Sequence, residues 1–122
     1  MAATYAQRKA LGDYGERLAA LELERLGLEV LDRNWRCGQG EIDIVALHQD
    51  VLVICEVKTR RSDRYGSAVE AITPAKAARL YRLAHAWCAA HERPGSAVRV
   101  DVVTVLVGRR SSPLLTHYAG LA

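Results

Sequence analysis

An α/β layered domain with the element order α-β-β-β-α-β is predicted by three features of the sequence. The chain opens on a helix-like segment rich in Ala, Leu, Glu and Arg that stops at Gly27. Two apolar stretches, EIDIVAL (41–47) and VLVICEVKTR (51–60), follow, separated by His48-Gln49-Asp50. A second helix-like segment after Thr73-Pro74 leads to a further strand-like run, VRVDVVTVLV (98–107).

The first helix is expected over residues 7–26. It carries two apolar stripes, one of Ala19, Ala20, Leu23 and Leu26, the other of Leu11, Tyr14, Leu18 and Leu21. A surface helix needs one such stripe to pack, so the second is expected to cover another part of the chain or a partner subunit. Residues 28–35 (LEVLDRNW) suit a first strand, and RCGQG (36–40) a glycine-rich break. The short separation of the next two strands makes them an antiparallel hairpin. Residues 61–72 suit a loop with a short helical turn. Thr73 then serves as N-cap and Pro74 as the first residue of a second helix. That helix runs to about His91, with Leu80, Leu83, Ala84, Trp87 and Cys88 facing inward. Beyond the last strand, the tail from Gly108 is expected to wrap on the surface or add a short edge strand.

With 122 residues, half of them apolar, the chain suits a single domain, 1–122, with its core over 7–107 and a tail over 108–122. No apolar run approaches the roughly 18–20 residues of a membrane span, and no apolar block follows the basic residues of the first turns as in a signal peptide. Membrane partners are therefore not expected. Cys37, Cys55 and Cys88 are odd in number and far apart, which suits a reducing cytoplasm and not a disulfide framework. Charge is uneven. Residues 1–56 are acidic, whereas 57–82 hold Lys58, Arg60, Arg61, Arg64, Lys76, Arg79 and Arg82 against Asp63 and Glu70. Such a pattern fits a polyanion surface beside a cation site, and equally a solvated face with helical ion pairs.

The hairpin carries the chemistry. With two or four loop residues at Gln49-Asp50, Asp43 stands directly opposite Glu56, and Lys58 projects from the same face as Glu56. A three-residue loop would shift the register and separate the carboxylates. Opposed carboxylates in a half-buried sheet repel each other, and a hard divalent cation, Mg²⁺ or Mn²⁺, relieves the repulsion. Lys58 beside them suits holding a water or steadying charge on a phosphate. Water, ion and phosphate-facing cation are the parts needed for phosphodiester hydrolysis. Glu16 falls within the Ala19/Ala20/Leu23 stripe, where a charge is out of place unless it reaches this site across Gly15. Stabilisation near the start of a helix explains it equally well. A same-face ion pair is the plain alternative for Glu56 and Lys58.

These residues sit in stretches that resemble the PD-(D/E)XK nuclease superfamily, and in particular its YraN-like family of small bacterial proteins. The matching stretches are GERLAALELERLGLEVLDRNWR (15–36), GQGEIDIVA (38–46), VLVICEVKTRR (51–61), YGSAVEAITPAK (65–76) and VRVDVVTV (98–105). Archaeal Holliday-junction resolvases are a more distant likeness. The resemblance implies a restriction-endonuclease-like αβββαβ core with a mixed central sheet flanked by helices. It implies Mg²⁺-dependent cleavage of nucleic acid; the leading expectation is an endonuclease acting on DNA, with branched DNA one candidate substrate. Asp43, Glu56 and Lys58 take the superfamily's Asp, acidic ligand and Lys, and Glu16 its helix glutamate. Glu16, Asp43 and Glu56 would then ligate metal. Ile42 stands where the superfamily's name has Pro.

Arg60 and Arg61 are the expected phosphate contacts. Lys76 and Arg79, in the first turns of the second helix, suit a nucleic-acid groove or plain helix solubilisation. Gln39 and Gly40 precede the second strand of the site. Tyr65 and Trp35 suit base stacking or packing. His48, His85, His91 and His117 lack zinc spacing, and Asp101, amid valines, reads as structural. A symmetric DNA junction would suit a homodimer through the Leu11/Tyr14/Leu18/Leu21 stripe. The rival functions are a non-catalytic nucleic-acid-binding module on the same fold and a protein–protein adaptor.

Overall fold

A computed structural model of the chain describes residues 3–61, 72–108 and 111–120. The element order is α1 (Tyr5–Arg25), β1 (Glu29–Cys37), β2 (Gly40–His48), β3 (Val51–Arg60), α2 (Pro74–Ala90), β4 (Ala97–Leu106) and β5 (Leu114–Tyr118). The strands form one sheet in the order β1-β2-β3-β4-β5. Only β3 and β4 run parallel; the other pairs are antiparallel. The α/β expectation holds, and the tail adopts the edge-strand alternative. The expected loop over 61–72 falls almost wholly outside the described residues.

Each boundary has a local cause. α1 starts two residues earlier than expected because Thr4 and Gln7 form a reciprocal cap. The Gln7 N–H donates to Thr4 Oγ1 at 3.1 Å, and the Thr4 N–H donates to Gln7 Oε1 at 2.8 Å. It stops where Gly27 turns to φ 93°, a left-handed conformation that glycine adopts without strain. There the Gly27 N–H bonds the Glu24 carbonyl and the Leu28 N–H the Leu23 carbonyl, while buried Leu28 and Leu23 pack in one core. Thr73 caps α2 through the Lys76 N–H at 3.1 Å, with Pro74 opening the helix. RCGQG is not a break: Arg36, Cys37 and Gly40 belong to β1 and β2, and Gly38-Gln39 forms a two-residue hairpin turn.

Helices cover both faces of the sheet. On the α1 face, Ala19, Ala20 and Leu23 pack against Ile44, Ala46, Val53, Cys55, Val103 and Val105. On the other face, all five residues expected inward on α2 pack with Ile42, Val45, Leu52, Ile54 and Val100. The second stripe of α1 is split: Leu18 packs against the first core, and Leu21 is 62% exposed. Trp35 is partly buried against the α2 core. A bulge between Val30 and Asp32 interrupts the β1–β2 ladder. The Asp32 carboxylate accepts from Trp87 Nε1 at 3.0 Å, and His91 stacks on the Trp87 ring at 4.1 Å.

Asp101 is the sole buried charged side chain among the described residues, fully enclosed on β4. Arg99 grips it with Nε at 2.8 Å and Nη2 at 2.9 Å. His117 Nε2 lies at 2.7 Å, and the Gly120 N–H donates at 2.9 Å. Burial works against the ionised form, but Arg99, Gly120 and His117 outweigh it and hold the carboxyl below its ordinary value. Two of the four donors come from the tail, so Asp101 ties β5 to the sheet. Its structural reading holds.

Candidate metal and phosphate site

β3 changes character along its length. Its first half is apolar and buried between the helices, and its second half ends on Glu56, Lys58 and Arg60. The β2–β3 register follows from a two-residue turn at Gln49-Asp50, with Gln49 at φ 56°. Pairing runs from His48↔Val51 to Ile44↔Cys55. One step further, at Asp43 and Glu56, the paired ladder has ended, and the Asp43 carboxylate itself takes the Val57 N–H at 2.8 Å. The side chain replaces a ladder bond, and the strands leave an opening there.

That opening is a cleft of about 470 Å³ lined by Glu16, Asp43, Glu56 and Lys58, with Arg8 and Thr59 at its wall. α1 reaches it because Gly15 lies directly on Thr59: a Cβ at position 15 would fall 2.7 Å from Thr59 Cβ and Cγ2. The glycine thus brings Glu16, the next residue, to the cleft. Asp43, Glu56, Lys58 and Glu16, four residues from three elements, therefore line one opening. A second groove shares Arg8, Gly12 and Glu16 with it and continues past Lys9 and Arg36. Arg8 had no sequence signal, because nothing in its spacing on α1 ties it to β3.

The electrostatics are those of crowded carboxylates. Burial, with Glu56, Glu16 and Glu41 nearby, pushes the Asp43 carboxyl from 3.8 up to about 7, against the pull of the Val57 N–H. Burial likewise raises Glu16, although Asn34 and Arg33 favour its ionised form. Its Oε2 is buried without a hydrogen-bond partner, and its nearest cation, Arg33 Nη2, stands off at 4.0 Å. Glu56 is held differently. Lys58 Nζ lies 3.3 Å and Lys76 Nζ 2.9 Å from the same oxygen, Oε1. Burial works against the charge on Lys76, but the pair with Glu56 outweighs it and raises its value.

A buried carboxylate oxygen without a hydrogen bond, beside a carboxyl that resists ionisation, is an arrangement whose charge a hard cation would relieve. All the acidic donors are oxygens, which suits Mg²⁺ or Mn²⁺ over softer metals. As they stand, no three His, Cys, Asp or Glu side chains among the described residues are gathered closely enough to clasp an ion. Lys76 was expected in a groove; the structure puts its ammonium on Glu56 itself. Arg61 and Arg79 are exposed, and Arg79 acts on Lys76 through its charge. Tyr65 lies outside the described residues.

The fold and cleft define a small α/β protein with a carboxylate–lysine site at the end of a mixed five-stranded sheet. Over residues 15–105 the chain matches Uncharacterised protein family UPF0102, and it belongs to that family. It is 53% identical to a UPF0102 protein of Kineococcus radiotolerans over 118 residues, 94% of this chain and 95% of that protein. A UPF0102 protein of Streptomyces coelicolor is 52% identical over 117 residues, 94% of this chain and 90% of that one. One of Mycolicibacterium vanbaalenii is 50% identical over 115 residues, 94% and 95% of the two chains. No described helix is long and apolar enough to cross a membrane.

Proposed function

We propose that this protein is a Mg²⁺- or Mn²⁺-dependent endonuclease of the PD-(D/E)XK type that hydrolyses phosphodiester bonds in DNA, with branched DNA among its substrates. The observation that carries the reading is the convergence of Asp43, Glu56 and Glu16 on one cleft with Lys58 beside them. Burial penalises the ionised forms of Asp43 and Glu16, and the neighbouring carboxylates add to that penalty; a bound cation would offset it.

Glu16, Asp43 and Glu56 would hold the ion, which when bound supplies positive charge for the phosphate and activates water. Lys58, 3.3 Å from Glu56, is placed to donate to the attacking water and to a non-bridging phosphate oxygen. Hydrolysis forms a bond from water oxygen to phosphorus and breaks one phosphorus–sugar oxygen bond. The water's protons pass to the departing oxygen and to solvent. Arg61, Arg79 and the Arg60 region hold the backbone on either side. The free thiols of Cys37, Cys55 and Cys88 suit action in the cytoplasm, and a homodimer would meet through the Leu11/Tyr14/Leu18/Leu21 stripe of α1, of which Leu21 is exposed.

The test is incubation of pure protein with branched, single-stranded and duplex DNA, and with RNA, in Mg²⁺, Mn²⁺ or EDTA. Metal-dependent cleavage that disappears in Glu56→Ala and in Lys58→Ala supports the enzyme. Salt-sensitive retention of DNA without cleavage would replace it with a binding module. Absence of both at low salt would leave an adaptor.

A further inference from the structure

Glu56 is over-neutralised. Two ammoniums from different elements, Lys58 on β3 and Lys76 on α2, meet a single oxygen of one carboxylate. Like charges drawn together in this way repel, and the anion between them offsets that repulsion. Lys58 is fixed on the same strand as Glu56, two residues on. Lys76 comes from a separate helix, and its side chain is the more enclosed of the two, 18% exposed against 27%. Three carboxylates around the cleft face the ammoniums of Lys58 and Lys76, with the guanidiniums of Arg8 at the wall and of Arg33 beside Glu16, so no carboxylate charge is left in excess without an ion. A divalent cation would tip the site positive, and it would meet Lys76 at the carboxylate it needs.

We propose that Lys76 is an internal counter-ion that a divalent cation must displace from Glu56, and that the released ammonium turns to the phosphate backbone. The inference rests on the metal-dependent reading above. Lys76 is thus a positioning residue: it occupies Glu56 until the ion arrives. Displacement keeps the account of charge level, because the bound ion adds positive charge as the incoming phosphate adds negative. The released lysine stays in the first turn of α2, where backbone N–H groups also favour an anion. Ion and nucleic acid would therefore bind cooperatively, each favouring the same position of Lys76.

The test measures Mn²⁺ affinity by electron paramagnetic resonance for wild type, Lys76→Met and, as a control for general charge, Arg82→Met on the exposed side of α2. Methionine keeps the unbranched stem and removes the ammonium. Lys76→Met should bind Mn²⁺ about tenfold or more tightly than wild type, with Arg82→Met unchanged. A second measurement uses wild type alone: acetic anhydride labelling of Lys76, read by mass spectrometry, should accelerate severalfold on saturation with Mn²⁺. Equal or weaker affinity in Lys76→Met, or an unchanged labelling rate at saturation, would overturn the displacement while leaving the metal reading intact. No Mn²⁺ binding by any of the three proteins would overturn both.

Discussion

Replacing Asp43 by Asn keeps the acceptor for the Val57 N–H and removes the charge. In the ion-free protein this carboxyl is pushed from 3.8 to about 7. At about 1.36 kcal/mol per pH unit, that corresponds to roughly 4 kcal/mol against the ionised form. Water reaching a half-buried group reduces the effect to about 1–3 kcal/mol. The folded value lies above the unfolded one, so the native state holds the proton more tightly. That contribution is fully present below the unfolded value and is lost as pH rises through about 7. In EDTA, wild type and Asp43→Asn should therefore differ least near about pH 4, and Asn should be the more stable by about 1–3 kcal/mol at about pH 8.5. Urea denaturation across this range reads the difference directly, and other titrating groups cancel between the two proteins. With saturating Mg²⁺ at the higher pH the order should narrow or reverse, since the ion stabilises only the carboxylate. A stability difference that does not change with pH, or an Asn variant less stable at high pH in EDTA, would refute the crowded-carboxylate reasoning.

Other perturbations have equally definite outcomes. Asp101→Ala leaves Arg99 and His117 facing an empty, buried position and should cost about 3–5 kcal/mol, lowering the thermal midpoint. Because Asp101 is held below its ordinary value, its stabilisation of wild type is present above the unfolded carboxylate value and is lost as pH falls through the folded one. Gly15→Ala drives a Cβ into the Thr59 side chain and should destabilise by about 1–3 kcal/mol, with Thr59→Ala restoring part of the loss; chemical denaturation of the single and double variants reads this. Glu16→Gln should leave folding within about 1 kcal/mol of wild type, since Oε2 has no hydrogen bond to lose, yet weaken Mn²⁺ binding about tenfold in titration.

The strands and helices were legible because their signals are local. The expected β2–β3 register follows from a two-residue turn, and the ladder runs in that register up to Ile44 and Cys55, one step short of Asp43 and Glu56. Thr73-Pro74 marked the start of α2. The Thr4–Gln7 cap is equally local, and with it α1 begins at Tyr5, two residues before the expected start at residue 7. Glu16 could be suspected because a charge interrupts an apolar stripe, but its reach depends on the contact of Gly15 with Thr59, some forty residues away. The pairing of Lys76 with Glu56 had no local sign at all. It depends on how α2 lies across the sheet, which side-chain packing decides. The same holds for Asp101, whose partners Arg99, His117 and Gly120 meet only after β5 joins the sheet edge.

The most direct test of the proposed function is a crystal grown or soaked in Mn²⁺ and measured for anomalous scattering. A peak bounded by the carboxylates of Asp43 and Glu56 on the side of Glu16, with the Lys76 ammonium drawn away from Glu56, is the predicted result. A saturated crystal with no peak in that cleft, or with manganese bound elsewhere and Lys76 still on Glu56, would contradict it.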